Sequence, residues 1–154
     1  MLREYDRYAP KDDRVIIEAT EDNFSLPQRA TKVSVGYDLF ATSDEVIRPL
    51  DRKLIGTGIK LKMPEGIEGQ IRSRSGLAHK HGVFVLNSPG TIDPDYRGEI
   101  KVLLCNMGHL PFDISEGDRI AQLLIQECPT FIQHAVSELD STSRGDGGFG
   151  STGK

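Results

Sequence analysis

Apolar residues in this chain fall in short runs, several of them alternating with polar ones, and turn formers separate the runs. Arg14–Thr20 (RVIIEAT) predicts a first strand, and the Asp-, Asn-, Pro- and Gln-containing stretch 21–32 reads as a loop. Val33–Thr42 (VSVGYDLFAT) predicts two extended pieces about a Gly-Tyr-Asp turn. Val46–Leu50 is a short edge piece stopped by Pro49. Leu54–Met63 carries a period of two at Ile59, Leu61 and Met63, and Pro64-Glu65-Gly66 then turns the chain into a further strand, Ile67–Arg72. Ser75–Lys80 (SGLAHK) predicts the only short helix. Val83–Leu86, Ile100–Cys105, Phe112–Ile114, Arg119–Ile125 and Phe131–Val136 complete the strands. No solenoid period is present. Many short strands between Gly- and Pro-containing turns predict an all-β barrel or sandwich.

The pattern stops at Ser137. SELDSTSRGDGGFGSTGK holds only Leu139 and Phe149 as large apolar side chains, so the chain divides into a folded domain, 1–136, and a Gly-rich tail, 137–154. Taken alone, the tail reads equally as a disordered end or as a flap. For the flap reading it offers an aromatic face, a guanidinium, hydroxyls and flexible backbone N–H donors. A length of 154 residues favours one domain with a core that needs no staples. With no Trp, that core must come from Ile, Leu, Val and Phe. A net charge of −4 gives no electrostatic case for binding duplex nucleic acid. No run is apolar enough to span a membrane, and MLREYDRYAP lacks the apolar segment of a secretory leader. Cys105 and Cys128 lie in or beside apolar runs and read as core or near-core thiols in a reducing compartment, with cytoplasm as the default location.

Candidate chemistry centres on Asn87–Glu99 (NSPGTIDPDYRGE). Turn signals stand at both ends, and Asp93, Asp95 and Tyr96 lie between them. A hairpin pocket there would set an aromatic ring and a carboxylate against one small ligand, with Asp93 as base toward a water and Tyr96 stacked on a flat or sugar-like group. In isolation the same residues also read as an ordinary Asp-Pro turn. Four further segments keep it company: Val35–Ala41 (VGYDLFA), Arg74–Ala78 (RSGLA), Gly117–Leu123 (GDRIAQL) and Arg144–Gly153 (RGDGGFGSTG).

In order and spacing these five segments closely resemble the five motifs of the trimeric deoxyuridine triphosphatase (dUTPase) family, and the resemblance covers nearly the whole chain from about Val15. It implies an all-β, distorted β-barrel or jelly-roll-like fold with one short helix and an extended C-terminal tail. It also implies hydrolysis of dUTP to dUMP and pyrophosphate with Mg2+, in a homotrimer with shared active sites. Through the resemblance, Asp93 is the residue that activates the attacking water, and Tyr96 packs on the deoxyribose and excludes a 2′-OH. Asn87 and the hairpin positions Gly90, Thr91, Ile92 and Lys101 read uracil, Lys101 by its main chain only. Arg74, Ser75 and Gly76 form a phosphate-binding turn, and Gln122 adds a phosphate contact. Asp38 holds the metal through waters. Phe149 of the tail covers the uracil, while Arg144, Gly150, Ser151 and Thr152 meet the phosphates.

The chain departs from the family pattern at Ser73, where Pro is usual, and at Val35, where a small Ala is common; neither change removes a functional group. The His79/His81 pair lacks a third ligand and reads as solvated surface. Asp95 reads as shaping its turn, Arg97 and Glu99 as surface or subunit contacts, and Asp118-Arg119 as a structural pair. Two rival functions keep the same fold. One is deoxycytidine triphosphate deaminase, which needs a glutamate base that the hairpin lacks; the other is a nucleotide-dependent regulatory protein using the same pocket as a switch.

Overall fold

A computed structural model describes residues 16–19, 26–148 and 151. Eleven strands and one helix run in the order β1 (Ile16–Ala19), β2 (Tyr37–Phe40), β3 (Glu45–Ile47), β4 (Arg52–Gly56), β5 (Ile59–Lys62), β6 (Ile67–Arg72), α1 (Ser75–His81), β7 (Val83–Val85), β8 (Gly90–Ile92), β9 (Lys101–Asn106), β10 (Phe112–Ile114) and β11 (Arg119–Glu127) among the described residues. Every strand pairing is antiparallel. The expected jelly-roll-like arrangement holds, but the described strands do not close into one barrel. They form a four-stranded sheet (β2-β11-β6-β8), a three-stranded sheet (β4-β9-β7) and two pairs (β1-β5 and β3-β10).

These sheets share one core. Leu39, Ile55, Ile59, Leu61, Val83, Val85, Val102, Leu104, Ile120 and Leu123 are all but fully buried. In β5 the buried Ile59 and Leu61 alternate with Lys60 and Lys62, whereas Val83/Val85 and Val102/Leu104 alternate with the half-buried Phe84 and Leu103. Among the described residues Asp38, Thr57 and Asn106 are the buried polar side chains, and Asn106 is the most deeply sealed. Asn106 donates from Nδ2 to the carbonyls of Ile47 (2.9 Å) and Leu110 (2.8 Å) and accepts at Oδ1 from the Gly108 N–H (2.8 Å), so its burial leaves nothing unpaired. The helix ends at Gly82, whose left-handed φ of 68° lets its N–H turn back to the Ala78 carbonyl; His79, Lys80 and His81 fill the last turn, where cations suit the helix dipole.

Four expectations need correction. Tyr37 and Asp38 lie inside β2 rather than in a turn, because pairing to β11 and two backbone bonds with Gln28 outweigh the local turn propensity. The run Leu54–Met63 is two strands, split where Gly58 takes a φ of 67° and the buried Thr57 hydroxyl turns to the Ile100 carbonyl (2.6 Å). Phe131–Val136 forms no strand; it leaves β11 with Phe131 and Ile132 exposed and no neighbouring strand to pair with among the described residues. Cys105 is buried as expected, but Cys128 is exposed, one residue beyond the end of β11.

Candidate active site

The segment after β7 does not form a simple hairpin. β7 pairs with β9 in one sheet, and β8 pairs with β6 in the other, so residues 86–100 bridge the two sheets. A cavity of about 320 Å³ opens along this bridge, large enough for a small ligand. Its apolar wall is Leu54, Ile71, Val85, Ile100 and Leu103; Asn87, Gly90, Thr91, Ile92, Asp93, Tyr96, Glu99 and Lys101 line the rest. Every residue of this segment to which the sequence gives a ligand or catalytic role therefore faces one space, while Asp95 and Arg97 do not. The register of β8 on β6, Gln70 against Thr91 and Ile71 against Gly90, fixes the backbone that edges it.

Asp93 and Tyr96 are held by a turn in which the Tyr96 N–H donates to the Asp93 carbonyl (3.1 Å). The Tyr96 hydroxyl donates to the Glu99 carbonyl (3.0 Å), which anchors a ring otherwise 44% exposed. The Asp93 carboxylate is exposed and has no hydrogen-bond or ion-pair partner among the described residues, so it is free to take a water. Lys101 lies on β9 opposite Gly56, with Nζ 3.7 Å from Glu99 Oε2.

A second cluster forms elsewhere on the chain. The β11 register sets Gln122 against Asp38 on one side and Arg72 on the other, and Arg74 follows just after β6 as the residue that opens the helix. Asp38 is buried; its Oδ1 lies 3.5 Å from Arg74 Nε and its Oδ2 3.3 Å from Arg119 Nη1. Arg74 Nη1 also donates to the Arg119 carbonyl (2.7 Å). Two guanidiniums on one carboxylate leave an excess positive charge, the right sign for a phosphate chain. Ser75 and Gly76 open α1 beside it, exposed to solvent. Asp38, Arg74, Ser75, Gly76 and Gln122 line no part of the cavity.

Arg119 pairs with Asp38 rather than with Asp118, whose carboxylate instead accepts from the Ser115 N–H (2.9 Å). Glu99 faces inward, against the expected surface role. Among the tail residues, Arg144 folds back onto the Gly147 carbonyl (2.8 Å) and Ser151 bonds to Gly148, both away from the cavity. Phe149, Gly150 and Thr152 lie outside the described residues.

A magnesium ion binds mainly through phosphate and water oxygens and asks the protein for one or two carboxylates. Asp38 supplies one hard oxygen donor at the cationic cluster, which fits an ion that arrives with its own triphosphate.

A cavity rimmed by an exposed carboxylate and an aromatic ring, with a separate cationic cluster on the same all-β scaffold, offers the parts a nucleotide-handling hydrolase needs. A family model described as dUTPase matches residues 22–153. The deoxyuridine 5'-triphosphate nucleotidohydrolase of Wolbachia pipientis subsp. Culex pipiens (strain wPip) is 53% identical over 133 residues, 84% of this chain and 87% of that one. That of Clostridium novyi (strain NT) is 47% identical over 140 residues, 91% of this chain and 99% of that one. Among solved structures, the Staphylococcus bacteriophage 80alpha dUTPase with dUpNHpp superposes with a TM-score of 0.84 at 27% identity, over 92% of this chain and 99% of that one. A mutant of the dUTPase from phage phi11 of S. aureus, described with a structural Mg(II) ion, has a TM-score of 0.75 at 25% identity, over 81% and 97%. The chain belongs to the dUTPase family, whose established reaction is the hydrolysis of dUTP.

Proposed function

We propose that this chain hydrolyses dUTP to dUMP and pyrophosphate at a site assembled from three subunits. One subunit supplies Asp38, Arg74, Ser75, Gly76 and Gln122 for the phosphates, a second the segment Asn87–Tyr96 for the nucleoside, and a third the tail. The reading rests on one observation above all: the nucleoside-sized cavity and the guanidinium cluster are each well formed on one chain, yet share no lining residue.

In this scheme Asn87 and the backbone of Gly90, Thr91, Ile92 and Lys101 hold the uracil. Backbone donors and acceptors on paired strands cannot rearrange, so cytosine, with N4-H2 in place of O4, leaves buried groups unpaired and is rejected. Tyr96 packs against the deoxyribose. Asp93 takes a proton from the water that attacks the α-phosphate, and its free carboxylate suits that role. Arg74 and Ser75 hold the phosphate chain in line. Mg2+, when bound to the triphosphate and held through water by Asp38, supplies charge neutralisation to the transferring group. Arg144, Phe149, Gly150, Ser151 and Thr152 of the tail close over the base and phosphates. The one glutamate of the Asn87–Glu99 segment, Glu99, has its Oε1 held by the Thr57 and Gly58 N–H groups, so it is not free to act as a base over the pyrimidine, which speaks against deamination. The chain acts in the cytoplasm, where its free thiols stay reduced and its substrate is made.

The test is hydrolysis of dUTP, dTTP, dCTP and UTP with pyrophosphate as the readout. Pyrophosphate from dUTP at least about 100-fold faster than from the other three supports the reading. Ammonia release from dCTP, or tight dUTP binding without turnover, would replace it with the deaminase or the regulatory switch.

A further inference from the structure

The mechanism leaves two ionisable side chains of the cavity unused, Lys101 and Glu99, and only Glu99 is tied into the fold by hydrogen bonds. Glu99 lies between Tyr96 and the start of β9, and its carboxylate reaches across the molecule. Oε1 accepts from the backbone N–H of Thr57 (3.1 Å) and of Gly58 (3.0 Å), residues 42 and 41 positions earlier in the chain. Both donors belong to the bend between β4 and β5. The space is cut for that carboxylate, since a Cβ at Gly56 would stand 2.8 Å from Glu99 Oε1 and 3.0 Å from the Thr42 hydroxyl. The next residue is fastened to the same bend, because Ile100 donates to the Ile59 carbonyl (2.7 Å) and accepts from the Thr57 hydroxyl (2.6 Å).

The main chain of Glu99 carries the other half of the device. Its carbonyl receives the Tyr96 hydroxyl at 3.0 Å. The ring lies over Gly98, where a Cβ would come within 2.4 Å of the Tyr96 hydroxyl oxygen. Ring, Gly98 and Glu99 carbonyl thus form one small unit, and the Glu99 carboxylate is its tether to the three-stranded sheet. Among the described residues the second oxygen, Oε2, meets only Lys101 Nζ at 3.7 Å, with that lysine half-exposed, a pair worth little in water. What matters in Glu99 is the reach of Oε1, not the charge.

We propose that Glu99 is the positioning residue for Tyr96, and that through this tether it sets the discrimination between deoxyribose and ribose. The inference rests on the reading of Tyr96 as the ring that meets the sugar. Without the tether the peptide unit that carries the Glu99 carbonyl keeps only its Ile100 N–H bond to the Ile59 carbonyl and can tilt about it, so the ring's hydroxyl anchor moves and room opens where a 2′-OH would stand.

Two variants separate reach from charge. Glu99→Gln keeps an acceptor oxygen at the same distance and removes the charge. Glu99→Asp keeps the charge and is one methylene too short for the Thr57 and Gly58 N–H groups. Steady-state kinetics on dUTP and UTP, with melting temperature measured on the same samples, give the readout. Expected for Glu99→Gln is a dUTP/UTP ratio of kcat/KM within about twofold of the parent. Expected for Glu99→Asp is a ratio lowered about tenfold, with KM for dUTP raised more than kcat is lowered, the loss of one to two well-placed hydrogen bonds. A lower melting temperature in Glu99→Asp with an unchanged ratio would make Glu99 a purely structural residue and overturn the proposal. So would a defect in Glu99→Gln matched by a normal Glu99→Asp. Tyr96→Ala is the control: if it leaves the ratio unchanged, the reading of Tyr96 itself fails, and the tether proposal falls with it for that separate reason.

Discussion

Asp93 presents an exposed carboxylate with no partner among the described residues, three positions from a ring anchored through its hydroxyl to the Glu99 carbonyl. Asp93 and Tyr96 are named by the five-residue stretch around them, and they do face one cavity. Arg119 was read as a partner of its neighbour Asp118, yet its guanidinium meets Asp38, 81 positions away. Glu99 reads from the sequence as a surface or subunit contact, and its bonds into its own chain escape notice for the same reason, since the partners lie more than forty positions upstream. For Asp93 the expected consequence is direct. Asp93→Asn keeps the shape and removes the base, so turnover should fall by a factor on the order of 10² or more, while the affinity for a non-hydrolysable dUTP analogue changes little. Stopped-flow turnover beside calorimetric binding checks both halves; near-normal turnover would take Asp93 out of the reaction. Chelation tests the metal in the same way. Removing divalent cations should abolish hydrolysis and leave the melting temperature of the ligand-free protein unchanged, because Asp38 is already held by Arg74 and Arg119. A large drop in melting temperature would mean that an ion is part of the fold.

At the scale of elements, strand existence followed from alternation, and strand partnership did not. Ile67–Arg72 was placed to the residue, because apolar residues at every second position and Gly66 before it are local signals. That β8 pairs with β6 while β7 pairs with β9 is a tertiary fact, and it turns a presumed hairpin into a bridge between sheets. The same limit applies to Asn106. Nothing beside it marks it as a core residue, yet it is fully buried and ties the end of β9 to β3 and to the 108–110 turn. Asn106→Leu should therefore destabilise the fold by about 3 kcal/mol, since it strands two carbonyls and one N–H that each cost about 1–3 kcal/mol when buried bare. Urea unfolding of the two proteins measures this directly, and a change below about 1 kcal/mol would show that water reaches those groups.

At the scale of the molecule, one arm of the chain carries large apolar side chains into solvent. Phe131 and Ile132 are 78% and 97% exposed, and Val136 and Leu139 add further apolar surface along the same arm. Patches of that kind mark a contact with another chain. The strand expected at Phe131–Val136 does not form, for it has no partner strand among the described residues; in a trimer a neighbouring subunit can cover these apolar side chains. The tail continues from that arm. Residues 137–150 can span up to roughly 45 Å when extended, enough to leave their own subunit. They lack the apolar residues to fold alone. A chain ending at Ser143 should therefore still form a trimer but lose nearly all activity. Full-length Asp93→Asn should be equally inactive, for want of the base. If the tail serves a site on another subunit, co-expression of the two should restore activity, because a mixed trimer can join an intact Asp93 from the shortened chain to an intact tail from the long one. A tail that serves its own Asn87–Tyr96 segment cannot produce that rescue, since no single chain then carries both parts. Mixed trimers isolated by two different affinity tags and assayed for pyrophosphate release decide it; mixed trimers as inactive as either parent would confine each tail to the hairpin of its own chain.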